Sequence, residues 1–201
     1  MSALSSESSI SARPAPSLSG GGPTRRLGFY DSWWTIAAAS LGACLALAAC
    51  AWVSLHLRTD PALHTAALFV HLASLVLGFG AVLVADYYGL LWITGRCTLR
   101  DTLGSTARLH IPIWTGLAGL VISGVMLQPD LTSTLTRTKL ALVLILTLNG
   151  LQAGLLNKRM AEQASSTQLT PRLLAWGAAT ALVSQICWWG AVVIGFRNSQ
   201  H

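Results

Sequence analysis

Charged side chains are what this sequence has least of. They make up 10% of its 201 residues, against roughly 25% in an ordinary soluble domain. With only 7 acidic and 13 basic residues, the chain lacks the charge to cover a water-facing surface. Cysteine is also sparse. Cys44, Cys50, Cys97 and Cys187 form no Cys-x-x-Cys pair, and three of them lie inside apolar runs, where a thiol behaves as a small hydrophobe. That removes a disulfide framework and a zinc site. The net charge of +6 comes without a basic stripe or stacking aromatics, so nucleic acid is not an expected partner.

What the sequence has is apolar residues, 53% of the total, gathered in long runs. Long runs indicate spanning helices, about 20 residues being enough to cross the hydrocarbon layer. The expected fold is therefore all-α: a polytopic membrane bundle of five transmembrane helices, with the lipid bilayer as its first partner. The spans are read at about 33–57, 62–94, 109–127, 139–156 and 171–196, within one domain covering 33–197. Residues 1–32 are rich in Ser, Pro and Gly and are expected to form a disordered cytoplasmic tail. Arg25-Arg26 resembles a twin-arginine signal, but the first apolar run is too long for a signal-peptide core of about 7–15 residues.

Local signals mark the ends of the spans. Pro61 suits the first turn of the second helix. Thr98-Leu-Arg-Asp101 resembles a capping box, which predicts a short amphipathic helix on the surface ahead of the third span. Pro112 marks that span's first turn or a kink. Nine of the thirteen Lys and Arg residues fall on the side of the N-terminus, the second loop and the fourth loop. The positive-inside rule then puts the N-terminus in the cytoplasm and the C-terminus outside, in a bacterial cytoplasmic (inner) membrane. Gly150 and Gly154 form a GxxxG step that lets helices approach closely.

Ionisable residues inside spans are costly in lipid and usually face a bundle interior. On the second helix His64, His71, Gly78, Val82, Asp86 and Gly89 fall on one face. His71 and Asp86 are fifteen residues apart, roughly 22 Å along the axis, so they define two sites at two depths. The outer site holds His71, with His64 two turns above it and Lys139, Trp188 and Trp189 at similar depth. An imidazole there can ligate haem iron or another metal, or relay a proton. The plainer account is a histidine hydrogen-bonded across a helix interface. The inner site pairs Asp86 with His110, with Arg100 and Arg108 near. With Asn149 on the fourth helix, these residues form a candidate proton or ion path. No second histidine faces His71 at its depth, so a two-histidine haem is not expected.

From His71 to Leu156 the segments VHLASLVLGFG, IWTGLAGLVISGVML and TRTKLALVLILTLNG resemble a broad group of uncharacterised bacterial multi-pass membrane proteins. More distantly they are similar to the copper-resistance membrane domain and the membrane protoporphyrinogen oxidase group. In those families a histidine opens one span and a lysine a later one, positions that His71 and Lys139 match. The resemblance implies cofactor binding by His71 and Lys139, with haem b as the cofactor; metal binding by His64 and His71 is the expectation from the outer site itself. The rival expectation is proton- or ion-coupled transport, or an accessory role in a homo-oligomer or beside a membrane partner subunit. No inverted repeat is visible, and five spans do not divide into halves, which counts against a self-contained secondary transporter.

Overall fold

The computed structural model describes residues 33–58, 60–166 and 170–198; the expected tail at 1–32 lies outside them. Among the described residues there are five helices and no strand: α1 (Trp33–His56), α2 (Pro61–Ile93), α3 (Leu99–Met126), α4 (Thr134–Ser166) and α5 (Pro171–Asn198). All five are long and apolar enough to cross a membrane. Helices satisfy every backbone polar group internally, which is why an apolar chain in lipid adopts them. The protein is an all-α membrane bundle.

The ends follow local chemistry. Pro61 opens α2, where a missing N–H costs nothing. The far end of α2 closes on Gly95, whose φ of 71° is left-handed. Arg96 N–H donates to the Leu91 carbonyl at 2.8 Å and Gly95 N–H to that of Trp92 at 2.9 Å, which is a Schellman motif. Thr98 caps α3, its Oγ1 accepting from Asp101 N–H at 3.2 Å and donating to the Asp101 carboxylate at 2.5 Å. α3 therefore starts at Leu99 rather than near 109, and no separate surface helix precedes it. The cap and the Asp101 charge at the helix's positive end carry the helix through polar residues into the apolar run. Pro112 lies inside α3. α4 likewise exceeds its apolar run at both ends.

Between α3 and α4, Asp130 accepts from the Thr132 hydroxyl at 2.7 Å and its N–H at 2.9 Å. These bonds, with Arg137 nearby, hold the exposed Asp130 carboxyl below the usual carboxylate range. Gln128, at a left-handed φ of 49°, donates from Nε2 to the Leu57 carbonyl at 2.5 Å and ties this turn to the end of α1.

The tightest helix pair is α2 with α3. A Cβ at Gly116 would collide with the Gly78 backbone and the Ser74 carbonyl, and one at Gly119 would meet the Ser74 hydroxyl. α4 packs on α5, where a Cβ at Gly190 would stand 2.8 Å from Leu142. The Phe79 and Trp188 rings, stacked with centroids 5.5 Å apart, join α5 to α2. These four helices surround a core of Val82, Leu117, Leu146, Cys187 and Trp188. α1 lies outside, against α3 and α4. Large apolar side chains such as Trp34, Phe69, Val76 and Ile111 are exposed around the bundle, as a lipid-facing surface requires.

Candidate functional site

The close crossing of α2 and α3 creates the first polar site. Two turns before Gly78 on α2, His71 meets Ser123 of α3, with Nδ1 and Oγ 2.9 Å apart. Ser123 is 1% exposed and its hydroxyl donates to the Gly119 carbonyl at 2.5 Å. A hydroxyl has one proton. With that proton on Gly119, Ser123 accepts from His71, so Nδ1 carries the ring hydrogen and Nε2 keeps its lone pair. Lys139, half-buried at the start of α4, is close enough to act electrostatically on His71. Its Nζ rests over α5, 3.6 Å from where a Cβ of Gly195 would stand.

Other expected members of this outer site are placed differently. His64 is exposed. Trp188 packs against Gly78, seven residues and about 10 Å along the α2 axis from His71. Among the described residues no group of three or more His, Cys, Asp and Glu side chains could hold a metal ion.

The second polar site is a partly open cavity of about 240 Å³ lined by α2, α3, α4 and α5. Asp86, His110 and Asn149 all line it. Asp86 takes its hydrogen bond from Gln185 Nε2 of α5. Arg100 and Arg108, expected beside it, are exposed, and among the described residues no Lys or Arg pairs with Asp86. Asn149 is engaged at both ends of its amide. It donates to the Thr180 carbonyl at 2.9 Å and accepts from Gln152 Nε2 at 3.1 Å, which makes it a brace between α4 and α5.

His110 borders a further cavity of about 410 Å³, between α1, α3 and α4, which Lys158 also lines. His110 and Asn157 thus stand where the two cavities adjoin. The GxxxG step of α4 seats rings rather than a backbone: Gly150 lies under Trp114 and Gly154 under His110. Two polar atoms of the surrounding helix α5, Trp188 Nε1 and Thr180 Oγ1, are fully buried without a partner among the described residues.

Sequence reasoning missed Ser123 as the partner of His71, Gln185 as that of Asp86, and both orphan atoms. The signal for Ser123 was present as a small residue four positions after Gly119 in an apolar helix. Comparison with known protein families, curated proteins and solved structures finds no match for this chain.

Proposed function

We propose that this chain is a bacterial cytoplasmic-membrane protein that holds haem b for redox work, with His71 as the iron ligand and Lys139 as a counter-charge. The supporting observation is the anchored imidazole: Nδ1 lies 2.9 Å from Ser123 Oγ, whose own proton goes to Gly119, and the tautomer this implies carries its hydrogen on Nδ1 and directs the Nε2 lone pair to a metal. Metal-binding histidines characteristically donate their other ring N–H in this way, which fixes tautomer and orientation. A bare ion takes three or four protein ligands, whereas haem iron needs one or two axial ones. A single oriented histidine suits the second case.

When bound, such a group supplies one-electron chemistry. The chain's own residues hold and orient it. Ser123, anchored on Gly119, keeps the ring from turning, and the half-buried Lys139 ammonium offers a charge suited to a carboxylate on the cofactor. The protein expressed with ample haem and purified in mild detergent is expected to show a Soret band. His71→Ala should abolish it, and Ser123→Ala should weaken haem binding about 10- to 100-fold. A colourless parent protein, or a band unchanged in His71→Ala, rejects this function.

The orientation proposed with it puts the N-terminus in the cytoplasm, supported by the nine basic residues on that side. A fluorescent protein fused to the N-terminus should light up, and alkaline phosphatase fused to the C-terminus should be active. Termini reporting one compartment would contradict five crossings.

A further inference from the structure

The cavity between α2, α3, α4 and α5 plays no part in the haem reading. Its nearest α2 wall residues begin at Val82, eleven residues and about 16 Å along the axis from His71. Its contents are unusual for a bundle interior. Asp86 is a carboxylate that no Lys or Arg among the described residues neutralises. An ionised carboxylate away from water needs a positive partner. The indole of Trp114 is in the same wall, and aromatic faces attract cations.

The remaining lining is largely apolar, including Ile113, Leu117, Leu146 and Met160. A volume of about 240 Å³ equals on the order of eight waters at about 30 Å³ each, the bulk of a one-ring amine with a short side chain.

We propose that this cavity binds a small organic cation, a protonated amine on an apolar body. Asp86 holds the ammonium, and the apolar walls with the Trp114 indole take the body. The occupant is an amphipathic molecule rather than a bare proton, because the cavity has room for one and a largely apolar lining to receive it.

The test uses the full chain in mild detergent and two probes of equal shape, 2-phenoxyethylammonium and uncharged 2-phenoxyethanol, titrated calorimetrically. The amine should bind saturably, and the alcohol at least about tenfold more weakly. Asp86→Asn should lower amine affinity about tenfold or more. His71→Ala should leave it unchanged, which separates this site from the haem reading. The comparison of the two probes on the parent protein needs no variant to fold. Equal binding of both probes, no saturable binding, or an Asp86→Asn protein that binds the amine normally each overturns the proposal. So would a parent protein that ignores the amine in liposomes yet carries protons in an Asp86-dependent way.

Discussion

Gly116→Val is expected to take the α2–α3 pair apart. A single Cβ at Gly116 would already overlap the Gly78 Cα and N and come against the Ser74 carbonyl. These are backbone atoms, which cannot swing aside as a side-chain tip can. Overfilling a packed interface costs about 1–3 kcal/mol, so Gly116→Ala should lose that much and the β-branched Val more. In lipid the loss is not offset elsewhere, because helix association there rests on van der Waals packing and interhelical hydrogen bonds. Ser123 would also move away from His71, since the crossing sets their register. Gly80→Ala is the control: a Cβ there meets nothing within 4 Å. It should be neutral or gain up to about 1 kcal/mol from helix propensity. Unfolding in a denaturing detergent series reads the difference. Equal stability of the Gly116→Ala and Gly80→Ala proteins would show that the two helices do not pack at this point.

Trp188→Ala is the second large effect. The ring is almost fully buried, stacks on Phe79 and touches Gly78, so it fills the junction of α5 with α2. Removing a buried tryptophan from a packed core costs about 3–5 kcal/mol, most of it lost contacts and the cavity left behind. The neighbouring Trp189 sets the scale. It meets Phe79 edge-on with centroids 5.0 Å apart, but it is 52% exposed and faces outward. Trp189→Ala should cost about 1 kcal/mol. Trp188→Phe conserves most of the volume and should stay within about 1.5 kcal/mol of the parent. Thermal melts of the three variants in one detergent give the ranking. Trp188→Ala melting with Trp189→Ala would mean that α5 does not close the ring.

The five spans were legible because long apolar runs in a charge-poor chain have one stable form in lipid. Pro61 and the Thr98–Asp101 cap were legible for a similar reason: each acts within a single turn of backbone. The start of α3 was not, because hydropathy sees the apolar run near 109 while the cap ten residues earlier decides where the helix begins. Partners across the bundle were beyond reach. His71 and Ser123 are 52 positions apart, and Asp86 and Gln185 are 99 apart. Which face of α5 meets α2 is decided by Trp188 fitting over Gly78, a matter of shape that periodicity in one helix does not carry. The inward face of α2 was correct from His71 to Asp86, yet His64, one heptad earlier, stands exposed.

The outlying position of α1 bears on how the protein is made. α1 leaves the ribosome before its neighbours α3 and α4 exist. It must therefore wait in the lipid without either of them until the chain has been made as far as α3, which ends at Met126. Its composition suits that wait: no Asp, Glu, Lys or Arg lies between Trp33 and His56, and the most apolar window of this span has no buried residue. The helices that carry Asp86, His71 and Lys139 have no such independence and need one another soon after insertion. Assembly should thus begin with the later four helices, and the first to arrive should be the last to dock.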